Sequence, residues 1–347
     1  MDNSNELSDR EVDEKIWELK KSFKDQLFIP VHHYQRDEIA QFADYMGDSL
    51  ELSRVSAGTE AKFIIFCGVY FMAEIARILA DEGKYVFVPN RGAGCPLADF
   101  AFPEDVENVW GTLNSVNPGD YIPVTYANSH ADIKAFCGRN EGLVCTSSNV
   151  EKIFRNILEK GKRVFFMPDR NLGINTAVSL GMGEDYIVAD PFSLETLKKA
   201  GDKKLVIWNG LCIVHKVFTM DHVRKWRRKG GDYRIIVHPE CDPEVVDASD
   251  DSGSTSKIKK LVESSPAGSK WVVGTEYNMV KRLKSQNSER VVEPLSKSVC
   301  VNMSKNRRHD LLDVLLAVKS GDYSGQVMLP SDVVKDAKKA ITRMLEQ

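Results

Sequence analysis

The chain repeats itself, and the repeat narrows what it can fold into. Three stretches align: IPVHHYQRDEIAQFADYMGDS from Ile29, IPVTYANSHADIKAF from Ile122 and RIIVHPECDPEVVDASDDSGSTS from Arg234. Each begins as a short apolar run with β-branched residues, ends in polar residues and passes into a helical pattern. The tip of the run is His32, Tyr126 or His238. Two residues on stand Tyr34, Asn128 and Glu240; six residues on stand Glu38, Asp132 and Glu244, each followed by Ile or Val. An acidic side chain there suits the positive end of a helix. Hydroxyls follow at matched places, Ser49 and Thr255, with Ser147 displaced by extra residues near Gly138 to Gly142.

A second strand–helix unit follows each first one: FIIFCGVYFMAEIARIL, RVFFMPDRNLGINTAVSL and WVVGTEYNMVKRL. The chain therefore reads as three copies of two such units. The expected class is α/β, with three similar doubly wound domains over residues 26–115, 116–228 and 229–320. A helix in residues 1–25, with Ile16, Leu19 and Phe23 on one face, and a helix in 321–347 after Pro330 would flank them. The segments Gly138 to Gly142 and Gly183 to Lys203 interrupt the middle copy and read as surface elaborations, the second able to touch a partner.

At 347 residues the chain exceeds one average domain, which agrees with the repeat. The 47 Lys and Arg nearly balance the 50 Asp and Glu, which argues against a broad nucleic-acid or anionic-membrane surface. The basic run Lys225 to Lys229 reads as the solvated end of a helix. No apolar run reaches the roughly 20 residues of a membrane span. The polar, acidic N-terminus does not read as a signal peptide. A cytoplasmic location is expected.

The repeat also sorts the seven cysteines. Their odd number and wide spacing do not suit a disulfide framework. Cys95 follows His32, and Cys300 follows His238, at nearly the same distance along the chain; Cys212 follows Tyr126 in the longer middle copy. Each copy thus supplies one cysteine. Packing of the copies around a pseudo-three-fold axis would bring three thiolates together, a donor set that suits an iron–sulfur cluster or zinc. Cys67, Cys137 and Cys145 do not repeat and read as buried small hydrophobes. Cys241 follows a strand tip and could lie near a site without being a ligand.

At these residues the chain resembles the quinolinate synthases. The matching stretches are HHYQ (32–35), GDSLELS (47–53), FCGVYFMAE (66–74), AGCPLAD (93–99), YANS (126–129) and CTSSN (145–149). PDRNLG (168–173), WNGLCIVH (208–215), HPEC (238–241), GSTS (253–256), VGTE (273–276) and CVNM (300–303) continue the match in the family's order. The resemblance implies three α/β domains around a pseudo-three-fold axis and a 4Fe-4S cluster on Cys95, Cys212 and Cys300. It implies condensation of iminoaspartate with dihydroxyacetone phosphate to quinolinate, with release of phosphate and water, for NAD biosynthesis. An L-aspartate oxidase or dehydrogenase would supply the iminoaspartate.

By the same resemblance His32, Ser49, Tyr126, Asn128, Ser147, His238, Glu240 and Thr255 stand at substrate-binding positions. A dicarboxylate and a phosphate ester need such hydroxyl, amide and imidazole donors. Tyr34 and Glu240 are the candidate proton movers. His215, three residues after Cys212, would either bind substrate near the open iron or orient the cluster. The hydroxyls at 49, 147 and 255 have a second reading, as helix N-caps.

Overall fold

The computed structural model describes residues 7–190, 193–200 and 203–347. The chain divides into two compact units. One takes in the residues up to Cys95 together with Cys300–Pro330, the other Pro96–Val299 together with Ser331–Gln347. The architecture is α/β, with parallel strands alternating with helices.

In the first unit the strands are β1 (Leu27–Phe28), β2 (Pro30–His32), β3 (Tyr45–Gly47), β4 (Phe63–Ile65) and β5 (Tyr85–Phe87). β1, β4 and β5 form one parallel sheet, β2 and β3 another, and a bridge from Val31 to Cys67 links the two. The helix Asp9–Phe23 is capped by Ser8 and Glu11 in a reciprocal box and buries Val12, Ile16 and Phe23. It packs with the helix Arg308–Ser320, which buries Leu311, Leu312, Leu315 and Val318. These side chains share one core with Ile29, Val31, Phe63 and Ile65.

The second unit holds two sheets. β6 (Tyr121–Tyr126), β7 (Leu143–Cys145), β8 (Arg163–Met167), β9 (Tyr186–Ala189) and β10 (Leu205–Trp208) run in the order β7-β6-β8-β10-β9. β11 (Tyr233–Val237), β12 (Asp251–Ser252), β13 (Lys270–Gly274) and β14 (Val291–Pro294) run in the order β12-β11-β13-β14. The helix Val150–Glu159 shows why the helices sit where they do. Its Val150, Ile153, Phe154 and Ile157 fall on one stripe, and that stripe is buried.

The third stretch carries four parallel strands and the middle one five, each with its second strand on one side of its first and the rest on the other, whereas in the first stretch β2–β3 and β1–β4–β5 form separate sheets. Two strand–helix units per copy were expected. The added strands, such as Asp251–Ser252 and Tyr45–Gly47, are two to four residues long. Runs that short carry no periodic signal. Glu38, Asp132 and Glu244 each occupy the second position of a helix, as their matched offsets require.

The segment Gly138 to Gly142 is not a surface elaboration. Gly138 is buried where the helix Ala131–Arg139 meets the helix Ser331–Leu345, and a Cβ on it would collide with the carbonyl of Asp336. Arg343 Nη1 donates to Gly142 O at 2.8 Å. The segment serves as the docking point of the C-terminal helix. Between Gly183 and Lys203, the described part adds β9 as an edge strand beside β10 and the helix Leu194–Lys199; residues 191–192 and 201–202 lie outside the described residues. The basic run ends the helix Met220–Lys229 in solvent, as expected.

Candidate functional site

The matched polar residues stand at the carboxyl ends of the first strands. That is where open parallel sheets bind ligands, beside the point at which strand order reverses. In the first unit, strand pairing sets His32 opposite Gly47, and Ser49 lies two residues beyond Gly47. In the second unit, Tyr126 is opposite Cys145, and Ser147 lies two residues beyond Cys145. Val237 is opposite Ser252, so His238 and Thr255 repeat the relation one residue later. The same register relates a strand-tip ring to a hydroxyl position in all three stretches.

The hydroxyls are not the helix caps. Asp48 caps Ser49–Gly58 by accepting from Leu50 N and Glu51 N, with Glu51 reaching back to Asp48 N. Ser254 caps Thr255–Ser264 by accepting from Lys257 N. Ser49 and Thr255 are thus the first helical residues. Before Val150–Glu159, the residue at the cap position is Asn149, whose Oδ1 accepts from Thr146 N at 2.8 Å. Ser147 lines a cleft of about 730 Å³ in the second unit, with Asn175, Pro239, Ser252 and Lys257 among its walls.

The strand-tip histidines are held alike. Tyr34 N–H donates to His32 Nδ1 at 3.2 Å, and Glu240 N–H donates to His238 Nδ1 at 3.3 Å. An Nδ1 that accepts leaves the proton of the neutral ring on Nε2. The Tyr34 ring stands edge-on to His32, with centroids 4.7 Å apart. His33 is buried, with Nε2 3.9 Å from Glu51 Oε2. In the second unit the loop after Tyr126 rests on a buried lysine. Lys134 Nζ donates to Ser129 O, and Ser129 Oγ donates to Tyr126 O at 2.9 Å.

The densest group of titratable side chains lies around Glu240. Glu240, His215 and His238 are 2%, 1% and 3% exposed. Glu240 Oε2 is 2.5 Å from His215 Nδ1 and 3.8 Å from His238 Nδ1. The two imidazoles stack at 4.4 Å. His215 Nε2 meets Thr275 Oγ1 at 3.1 Å. Burial alone would raise the Glu240 carboxyl, but His215, His238 and a hydrogen bond from Tyr126 outweigh it and hold the group down to about 2. Burial, reinforced by His215, pushes His238 down to about 3. Burial and the Glu240 charge push Asp169 well above the usual carboxylate range; its Oδ1 accepts from Leu172 N at 2.7 Å. Thr275 and Asp169 were not singled out from sequence, although both lie in the stretches VGTE and PDRNLG.

The cysteines separate by exposure. Cys95, Cys212 and Cys300 are partly exposed, whereas Cys67, Cys137, Cys145 and Cys241 are buried. Burial pushes the Cys67 thiol up to about 12 and raises the other three buried thiols as well. The thiolate is the metal-binding form of cysteine, and the three repeated thiols, unlike the other four, are partly open to solvent. Cys212 opens the short helix Ile213–Lys216, and its ligand atom and those of His215 and Glu240 lie within 4.8 Å of one another. In the first unit the segments bearing Cys95 and Cys300 are tied together. The buried Asn306 accepts from Asn90 N at 3.2 Å and donates to Gly68 O at 2.7 Å, and Lys305 Nζ donates to Gly92 O at 2.8 Å.

Among the described residues, no helix is long and apolar enough to cross a membrane. The family model described as Quinolinate synthetase A protein matches residues 14–346. Quinolinate synthase of Bacillus subtilis is 42% identical over 346 residues, covering 98% of this chain and 94% of that protein. Those of Bacillus pumilus and Anoxybacillus flavithermus are 41% and 42% identical, covering 96% and 98% of this chain and 92% and 94% of theirs.

Proposed function

This chain belongs to the quinolinate synthetase A family, and from that premise we propose that it condenses iminoaspartate with dihydroxyacetone phosphate. The product is quinolinate, with phosphate and water released, as a step of NAD biosynthesis in the cytoplasm. An L-aspartate oxidase or dehydrogenase would supply the iminoaspartate. The observation that carries the reading is the buried group of Glu240, His215 and His238 beside Cys212.

Cys95, Cys212 and Cys300 are the residues that would hold a 4Fe-4S cluster. When bound, such a cluster with one iron free of protein ligands supplies a Lewis acid for a substrate hydroxyl or carboxylate.

The remaining chemistry falls to side chains of this chain. Condensation requires an enamine, and loss of water requires a proton on the departing oxygen. Glu240, buried against His215, is the candidate to take a proton, and Tyr34 the candidate to give one. His32 and His238 present Nε2–H to substrate oxygens. Ser49, Ser147, Thr255, Tyr126 and Asn128 supply further donors for carboxylates and phosphate. His215 has protein partners at both ring nitrogens, which supports an orienting role toward Glu240 over direct binding of substrate.

The test is anaerobic reconstitution with iron and sulfide, then assay with freshly generated iminoaspartate and dihydroxyacetone phosphate. Broad visible absorption that bleaches with oxygen or chelator, together with quinolinate formation, is the expected result. A cluster-loaded protein that forms no quinolinate would leave a binding or sensing role in its place. The Cys212, His215 and Glu240 donors also suit zinc, so metal analysis belongs to the same experiment. Zinc without iron or sulfide in the active protein would overturn the cluster reading.

A further inference from the structure

The helix Arg170–Ser179 carries Asn171 and Asn175, four residues apart and therefore on one face. Asparagine is a poor choice inside a helix, because its amide competes for backbone hydrogen bonds. Both amides here are turned to the loop 238–242. Asn175 Nδ2 donates to Pro239 O at 2.7 Å and to Cys241 O at 2.9 Å. Asn171 Nδ2 donates to Glu240 O at 3.1 Å and to Asp242 Oδ1 at 3.1 Å. Three consecutive loop carbonyls are thus received by two side chains of one helix face. Asp242 also accepts from Lys216 Nζ at 2.6 Å, and Lys216 directly follows His215.

The loop closes on itself through Cys241 N–H to His238 O at 3.0 Å. It presents two site residues, His238 and Glu240, from a short span of backbone. The Glu240 carboxylate must stay 2.5 Å from His215 Nδ1, so a backbone shift of an ångström would break the pair. The helix belongs to the middle copy of the repeat and the loop to the third, both inside the second unit. The clasp therefore fixes part of the site across two copies.

We infer that Asn171 and Asn175 are positioning residues, which act on turnover by fixing the loop that carries His238 and Glu240. The inference rests on the reading of Glu240 and His238 as site residues given above. A helix that merely packed on the loop for stability would need no paired amide donors, and apolar side chains would serve as well.

The test uses Asn171→Ala, Asn175→Ala and the double variant, each reconstituted to the parental iron and sulfide content. Misplacing a reacting group by an ångström costs on the order of 100-fold, so each single variant is expected to lose roughly 10–100-fold in kcat, with a smaller rise in KM. The double variant should be about as slow as the slower single, because both asparagines act on one loop. Hydrogen exchange should quicken at the amides of 240–242 and stay unchanged across β13. Asn175→Asp, equal in size but unable to donate, should be at least as slow as Asn175→Ala. A kcat within about twofold of the parent with only a lowered melting temperature would overturn the inference; so would unchanged exchange of the loop amides. Glu240→Gln, assayed alongside, separates this idea from the one beneath it. Parental turnover in Glu240→Gln removes the proton role of Glu240, while slow asparagine variants would still establish the clasp through His238.

Discussion

Glu240 donates its backbone N–H to Nδ1 of His238 over 3.3 Å, so the neutral imidazole carries its proton on Nε2 and offers a donor there. The depressed titration of His238, pushed down to about 3 by burial, keeps the ring neutral at physiological pH. A glutamine amide nitrogen falls near the place of Nε2, whereas that of asparagine falls near Nδ1. His238→Gln should therefore retain more substrate affinity than His238→Asn. One hydrogen bond to a charged group is worth about 1.5–3 kcal/mol, or roughly tenfold or more in the substrate constant. Equal losses in the two variants would mean that Nε2–H is not what the ligand meets.

The same buried group sets an acid limit on stability. Below about pH 6.5 the unfolded chain protonates its histidine, while the folded protein resists until about 3. The unfolded state then binds more protons, and stability falls with pH. Glu240 acts in the same direction lower down. Its contribution is complete above its ordinary value of 4.5 and is lost as pH falls toward about 2. Anaerobic denaturant titrations between about pH 7 and pH 5 should show declining stability in the parent and a shallower decline in His238→Gln. Parallel declines would place the linkage elsewhere.

Ligation is tested by substitution. Cys95→Ser, Cys212→Ser and Cys300→Ser should each lose iron, sulfide and activity. Cys67→Ser and Cys137→Ser, at buried thiols pushed up by desolvation, should keep them. Full iron and sulfide content in any of the first three would remove that residue from the ligand set.

The hydroxyl positions separate binding from capping. Asp48 and Ser254 accept the helix N–H bonds, so Asp48→Ala and Ser254→Ala should cost about 0.5–2 kcal/mol of stability. Ser49→Ala, Ser147→Ala and Thr255→Ala should hold the melting temperature and weaken substrate binding about tenfold or more. Loss of stability at unchanged affinity would return these three to a structural role.

The α/β class was legible because polar residues recur at fixed offsets from strand tips, and those offsets follow from strand register. His32 with Ser49 and Tyr126 with Ser147 are each two residues out of a paired position. Short strands such as Asp251–Ser252 left no pattern to read. Gly138 to Gly142 looked like an insertion because the helix that packs on it, Ser331–Leu345, lies nearly two hundred residues away in sequence. Thr275, Asn171 and Asn175 escaped notice for a related reason. Their importance lies in what they bond to, at His215 and at the 238–242 loop; Thr275 and Asn171 do lie in the stretches VGTE and PDRNLG, but those stretches do not say which side chain matters.

Tyr34, Asn128 and Glu240 share one offset from the strand tip, yet they differ in what they can do. A phenol and a carboxylate exchange protons, whereas the Asn128 amide does not, so it should mainly bind. Removing general acid–base help costs about 10²–10⁴-fold. Tyr34→Phe and Glu240→Gln should keep the cluster and bind substrate while losing most turnover, and Asn128→Ala should raise KM more than it lowers kcat. Glu240→Gln has a structural risk, because the carboxylate is buried at 2.5 Å from His215. Its melting temperature and iron content must therefore be measured beside its kinetics. A variant that melts early yet turns over normally would make Glu240 a brace for His215. If Tyr34→Phe and Glu240→Gln both stay within a few-fold of the parental rate, neither residue moves the proton, and their place at the strand tips is for binding alone.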